Sequence, residues 1–257
     1  MKMVRAKKFL GQHFLNDKNI AAKIVDALDA STGKILEIGP GTGVLTRLLL
    51  QRNKNLKLVE IDRESIDFLI ATYPQIKQDL YKDDFLKMDI NKLFDGENFS
   101  IIGNFPYNIS SQILFKIIDH KELVPEVVGM VQKEVAERMT SLPGKKTYGI
   151  LSVLLQRWYN IEYLFTVDEH VFTPPPQVKS AVVKMTRNDR LEMQCDEQLF
   201  IKIVKTTFNQ RRKIIRNSIK PLLDDRPFEH AFLNLRPEQL SIPQFIGLTN
   251  EVEKILC

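Results

Sequence analysis

The segment Glu37-Ile38-Gly39-Pro40-Gly41-Thr42-Gly43 constrains the fold more than any other, because it closes an apolar run, Lys34 to Ile38, and opens a helical one at Val44. Glycines placed there let the backbone turn sharply and approach a ligand closely, while the helix start presents free N–H groups. A bare strand–helix turn uses the same residues, but a strand before and a helix after favour a ligand loop. The spacing is Gly-x-Gly-x-Gly, not the Gly-x-Gly-x-x-Gly of dinucleotide folds, which disfavours a pyrophosphate.

Downstream the chain alternates between the two periodicities. Strands are predicted at Lys34 to Ile38, Leu56 to Ile61, Ile76 to Tyr81, Ser100 to Asn104 and Glu126 to Val131. Helices are predicted at Val44 to Gln51, after Asp62 to Thr72, and at Ser111 to Asp119 and Gln132 to Thr140. Such alternation predicts an α/β fold, a parallel sheet with helices on both faces. A turn-rich basic break, Ser141 to Lys146, precedes a helix from Gly149 to Trp158 and two further strands, Ile161 to Val167 and Ser180 to Arg187. The loop between those strands carries Pro174-Pro175-Pro176, which stiffens it. Asn188-Asp189-Arg190 marks a boundary, and the remainder reads as short helices broken at Pro221, Pro227, Pro237 and Pro243. The expectation is two domains, residues 1–187 and a small all-helical one at 188–257.

The chain has 257 residues and a net charge of +5, a modest excess that favours an acidic partner, nucleic acid first. Its two cysteines, Cys195 and Cys257, are far apart, and its four histidines are scattered, so neither a disulfide framework nor a metal site is expected. The basic start, Met1 to Phe9, lacks the apolar segment of a signal peptide, and no apolar run approaches the ~20 residues that span a bilayer. A cytoplasmic protein with no membrane partner is expected.

Chemistry gathers at predicted strand ends. Glu60 is placed to accept hydrogen bonds from ribose hydroxyls, and Asp84 from an exocyclic amine, with Phe85 packing on the ring. Each acid alone is more often a solvated or turn residue. Asn104-Phe105-Pro106-Tyr107 ends an apolar strand with an amide that both donates and accepts, a fixed backbone and an aromatic face, a combination suited to holding a flat ring.

Together these residues resemble the class I S-adenosylmethionine-dependent methyltransferases, and Asn-x-Pro-Tyr looks like the signature of those that modify exocyclic nitrogens. Lys8 to Leu15, Asn104 to Ser111, Gln132 to Val135, Phe172 to Ser180 and Phe208 to Lys213 narrow the resemblance to the ribosomal RNA adenine dimethyltransferase family, in its bacterial small-subunit branch. The resemblance covers nearly the whole chain in order. It implies dimethylation of two adjacent adenines in the 3′-terminal hairpin loop of small-subunit (16S) rRNA, on a pre-30S particle, by a monomer, with S-adenosylhomocysteine as product. It also implies cofactor contacts from His13, Leu15, Gly39, Gly41, Glu60, Asp84 and Asn104, and a target base held at Asn104, Phe105 and Pro106 between Tyr107 and Phe172. For Phe172 the competing reading is a core anchor of its loop. Two positions depart from the family pattern: Phe105 where Leu is common, and His13 where a relative can carry Asn.

Arg211, Arg212, Lys213, Arg216 and Lys220 are predicted to share one helix, with Lys213, Arg216 and Lys220 on one face. A charge run is usually a solvated face; the resemblance turns it into an RNA contact, with Lys2, Arg5, Lys7, Lys8, Lys145 and Lys146 adding charge elsewhere. The alternatives are a related large-subunit rRNA adenine methylase, a non-catalytic ribosome-assembly factor and, more distantly, a nicotinamide-dependent dehydrogenase.

Overall fold

The computed structural model describes residues 4–29, 33–52, 55–188, 193–223 and 226–256. Met1, Lys2, Asp189, Arg190 and Cys257, named above, lie outside the described residues. In chain order the elements are β1 (Phe14–Leu15), α1 (Lys18–Asp26), β2 (Lys34–Ile38), α2 (Val44–Arg52), β3 (Asn55–Val59), α3 (Arg63–Thr72), β4 (Leu80–Tyr81), β5 (Ser100–Asn104), α4 (Ser110–Asp119), β6 (Glu126–Gln132) and α5 (Lys133–Met139). There follow α6 (Ile150–Trp158), β7 (Tyr159–Val167), β8 (Phe172–Thr173), β9 (Ser180–Arg187), α7 (Glu197–Asn209), α8 (Ile215–Ser218), α9 (Lys220–Leu223) and α10 (Ile242–Leu256).

The chain divides into two compact units, residues 1–136 with 160–187, and residues 137–159 with 188–256 among those described. The first holds a seven-stranded sheet in the order β4-β3-β2-β5-β6-β9-β7. β2 pairs in parallel with β3 and β5, β3 with β4, and β5 with β6, while β9 runs antiparallel to β6. Central strands buried on both faces need near-continuous apolar runs, and β6 is buried at every residue but its last. From β2 the chain winds outward through β3 to β4, then returns to lay β5 on the other side of β2. Right-handed crossovers then put α2 and α3 on one face and α4 on the other. The reversal makes β2 and β5 a topological switch point, and ligands bind outside the carboxyl ends of strands at such a point. β4 starts later than predicted: Pro74 opens a short 3₁₀ turn that takes in Ile76, leaving only Leu80–Tyr81 to pair.

The second unit is helical. α6 is buried along almost its whole length, and its Trp158 meets Phe200 of α7 edge-on, with ring centroids 6.3 Å apart. Phe208 of α7 in turn packs on Phe245 of α10, and the Tyr148 hydroxyl donates to the Leu240 carbonyl at 3.0 Å. Residues 137–159, placed by the sequence in the first domain, thus group with the second unit. The predicted single helix for the five basic residues is replaced by three pieces: α7 ends at Asn209, Arg211 to Lys213 lie in a turn, and α8 and α9 carry Arg216 and Lys220 separately. No helix among the described residues is long and apolar enough to cross a membrane.

Candidate active site

The carboxyl ends of β2, β3, β4 and β5 open on one cavity of about 280 Å³, lined by Gly39, Gly41, Glu60, Asp84, Asn104, Phe105, Pro106 and Tyr107. The basic N-terminal segment crosses it, contributing Phe9 to Phe14.

The glycine loop forms one wall. Gly39 and Gly41 both adopt left-handed backbone, with φ of 64° and 57°. A Cβ on Gly41 would lie 2.9 Å from the Phe14 ring, whereas one on Gly39 would meet only Pro106, at 4.0 Å, and so would project into free space. That open cradle leaves room for a cofactor, and the carboxylates of Glu60 and Asp84 that line the same cavity are acceptors of the kind the hydroxyls and amine of S-adenosylmethionine would meet.

Glu60 is 5% exposed, and its carboxylate accepts the Gly41, Ile61 and Asp62 N–H groups at 3.1, 2.9 and 2.9 Å. Burial pushes its pKa up, against the pull of those backbone donors. Two residues on, Asp62 caps α3 and anchors the N-terminal segment through the Lys7 ammonium and the Gln12 amide. Burial pushes the Asp62 carboxyl up, but Lys7, Ser65 and Gln12 together hold it below the usual range.

Asp84 accepts the Leu86 N–H at 3.0 Å, which turns the loop after β4 tightly. Lys116 of α4 clasps that loop from beneath. Its ammonium donates to the Phe85 and Met88 carbonyls and lies 5.2 Å from the Phe85 ring centroid. Burial pulls the Lys116 pKa down. Nothing in the sequence pattern signals this contact, since its acceptors are main-chain carbonyls.

At the end of β5 the Asn104 Nδ2 donates to the His13 carbonyl at 2.8 Å, and the other end of the amide, Oδ1, keeps its acceptor capacity. Phe105 continues the ladder by donating its N–H to the Met130 carbonyl at 3.0 Å, and its side chain is buried. Tyr107 stacks on the His13 ring at 5.2 Å between centroids, while its hydroxyl pairs with Ser180. Burial raises its pKa, with the Ser180 contact opposing. Asn108, unremarked in the sequence, holds the segment down by donating to the Phe9 carbonyl at 3.2 Å.

Two expected site residues are elsewhere. Leu15 and Phe172 are each 2% exposed and belong to the apolar core, not the cavity. One reason covers both. β1 pairs antiparallel with β8, Phe14 opposite Thr173 and Leu15 opposite Phe172, and successive residues of a strand face opposite ways. Phe14 turns to the cavity, so Leu15 and its partner Phe172 turn to the core. The core-anchor reading of Phe172 replaces the stacking one.

In the second unit the basic residues divide by partner. Arg216 makes a bidentate pair with Glu229 at 2.9 and 3.0 Å, and Arg211 donates to the Lys145 carbonyl at 3.2 Å and faces Glu238. Arg212, Lys213, Lys145 and Lys146 are exposed, and the Arg211 bond brings their two turns together.

A family model described as ribosomal RNA adenine dimethylase matches residues 3–247. A Bacteroides thetaiotaomicron protein named ribosomal RNA small subunit methyltransferase A is 58% identical over 100% of this chain and 97% of its own length. One of the same name from Flavobacterium johnsoniae is 52% identical over 98% of both. Among solved structures, a dimethyladenosine transferase from Plasmodium falciparum superposes with a TM-score of 0.78 at 25% identity, covering 95% of this chain and 98% of the other. The 23S rRNA methyltransferase ErmE, at 24% identity and a TM-score of 0.67 over 92% of this chain and 99% of its own, shares the fold.

Proposed function

This chain belongs to the ribosomal RNA adenine dimethylase family, and from that premise we propose that its cavity holds S-adenosylmethionine beside an extruded adenine. The enzyme is an S-adenosylmethionine-dependent dimethyltransferase acting on adenine in 16S rRNA. The finer reading is ours: two adjacent adenines in the loop of the 3′-terminal hairpin, presented on a pre-30S particle to a cytoplasmic monomer.

The observation that carries the site is the meeting, in one cavity, of the Asn104 acceptor and the Tyr107 ring with Gly39, Glu60 and Asp84. In this reading Gly39 receives the cofactor against bare backbone, Gly41 lines the site while making room for the Phe14 ring, Glu60 exchanges backbone donors for ribose hydroxyls, and Asp84 takes the adenine amine. His13 acts through its carbonyl and its ring. S-adenosylmethionine, when bound, supplies a methyl group on a sulfonium, an electrophile whose leaving group is a neutral thioether.

The chain's own residues prepare the acceptor. The lone pair of adenine N6 is delocalised into the ring, which makes it a poor nucleophile. Accepting its two N–H groups at Asn104 Oδ1 and the Phe105 carbonyl favours a tetrahedral nitrogen with the lone pair free. The same dipoles stabilise the positive charge that develops there. No strong base is needed, because the methylated cationic amine loses its proton readily to water. Pro106 lacks an N–H and fixes the turn that holds these acceptors. The target leaves its stack to enter, and Tyr107 offers the face it lands on.

The second unit is read as the RNA-binding one, with Arg212, Lys213, Lys145 and Lys146 as its exposed phosphate contacts, and Arg211, Arg216 and Lys220 flanking them.

The test is incubation with radiolabelled S-adenosylmethionine and undermethylated 30S particles, followed by nucleoside mass spectrometry. Dimethyladenosine at adjacent positions of the 3′ hairpin is expected. In a parallel incubation with protein-free 23S rRNA no label is expected; label there and not in the 30S particle, or none in either with full particle binding, overturns the reading in favour of the large-subunit methylase or the assembly factor.

A further inference from the structure

Phe105 sits directly after the reacting-site asparagine, yet its side chain is not in the chemistry; it is 1% exposed and inserted into the sheet. What receives it is a pair of glycines. Gly103 of β5 and Gly129 of β6 are register partners, and both lie under the Phe105 ring. A Cβ on Gly129 would stand 2.5 Å from Phe105 Cε2 and 3.1 Å from both Cδ2 and Cζ. A Cβ on Gly103 would stand 3.0 and 3.1 Å from Cε1 and Cδ1, the other edge of the ring, and 2.6 Å from the Ile38 carbonyl of β2, so Gly103 answers to two neighbours and Gly129 to the ring. The ring therefore lies across both glycines, one edge on each strand. Neither glycine is required by its own backbone, since neither has a positive φ. The absence of a side chain is what matters.

We propose that Gly129 is a positioning residue for methyl transfer: with Gly103 it forms a slot that seats the Phe105 ring and thereby fixes the Phe105 carbonyl. This rests on the reading above, in which that carbonyl accepts from the target amine. The coupling is short. The Phe105 N–H is already tied to the Met130 carbonyl, so a ring lifted out of its slot rotates the peptide that follows. That peptide carries the acceptor. The cofactor acids Glu60 and Asp84 hang from β3 and the loop after β4, neither of which carries Gly129, so a change at Gly129 falls on kcat before it falls on cofactor affinity.

The partition is tested with G129A, F105A, F105L and F105L/G129A on 30S particles, measuring kcat, particle KM and cofactor Kd. An added Cβ shifts the ring by about an ångström, a misplacement of the size that costs up to ~100-fold in rate. G129A should lose about tenfold or more in kcat, with KM and cofactor Kd within about threefold. Leu fills the slot less deeply, so F105L/G129A should recover to within about threefold of F105L. F105A, which empties the slot without crowding it, should also lose kcat at unchanged cofactor Kd, and it decides the matter if G129A fails to fold. Near-normal kcat in G129A or in F105A overturns the proposal. So does a double variant that binds cofactor yet stays as slow as G129A. A wild-type enzyme that transfers no methyl to the particle would instead remove the underlying reading.

Discussion

The carbonyl of His13 accepts a hydrogen bond from the Asn104 side chain, so a residue of the N-terminal segment decides which end of that amide acts as donor. With Nδ2 committed, Oδ1 is the end left to accept from a substrate amine. Asn104→Ala should lower kcat by ~100-fold or more, the scale seen when a preorganised dipole is removed, while cofactor binding weakens only moderately. Asn104→Asp should be no better, because a carboxylate has no donor for the His13 carbonyl and sets acceptor against acceptor. Single-turnover kinetics with equilibrium cofactor binding separate the effects; near-normal turnover in Asn104→Ala sinks the mechanism.

Tyr107 combines a stacking face with a hydroxyl spent on Ser180. If the ring does the catalytic part, Tyr107→Phe keeps most of the activity and Tyr107→Ala does not. Losing one base–aromatic stack, worth ~1–3 kcal/mol, corresponds to roughly 5- to 150-fold in kcat/KM. Equal losses in both variants would move the role to the hydroxyl.

The parts of the site that were legible in the sequence are those set by the local chain. Gly39 and Glu60 directly follow β2 and β3, Asp84 lies in the loop after β4 and Asn104 closes β5, and parallel strands on either side of a switch point bring their carboxyl ends to one crevice whatever the remaining packing. What failed depends on distant register. Whether Leu15 and Phe172 face cavity or core is decided by the pairing of two-residue strands that lie far apart in sequence, and a shift of one residue would reverse it. Lys116 is illegible for another reason: a lysine on a helix reads as solvated unless the carbonyls it meets are known. The basic stretch after Phe208 reads as one helix from its charge spacing alone, which carries no sign of the turn at Gln210 to Lys213.

Lys116 holds the loop that bears Asp84, the residue proposed to take the cofactor's adenine amine. Lys116→Met keeps the apolar stem but releases the Phe85 and Met88 carbonyls, and the loop bearing Asp84 loses its clasp. Two charge-assisted hydrogen bonds of this kind, discounted for partial exposure, amount to about 1–3 kcal/mol. Cofactor Kd should rise by roughly 5- to 150-fold, with kcat at saturating cofactor nearly unchanged. A drop confined to kcat would show that the loop serves the target base instead.

Arg212 and Lys213 are exposed beside Lys145 and Lys146 in the second unit. As phosphate contacts they would make particle binding fall with salt, and removing both would flatten the plot of log K against log salt by about two units of slope. Arg216, already paired with Glu229, should matter less. Binding of Arg212→Ala/Lys213→Ala measured across a salt series checks this, and an unchanged slope would place the RNA elsewhere.

Glu37 gives the fold a pH dependence separate from catalysis. It is 1% exposed on β2, and burial pushes its carboxyl up to about 8, although the Thr46 hydroxyl donates to it at 2.7 Å. An acid whose folded pKa lies above its unfolded value binds an extra proton in the native state between the two. Its contribution is therefore full below about 4.5 and is lost as pH rises toward 8. Each pH unit in that window costs about 1.4 kcal/mol for one fully coupled group. Glu37→Gln keeps the shape and the acceptor for Thr46 but never ionises. Thermal melts should show wild type losing ground to Glu37→Gln as pH rises from 6 to 9, with the two close together near pH 5. Parallel melting curves across that range would mean that Glu37 ionises as readily in the folded chain as in the unfolded one.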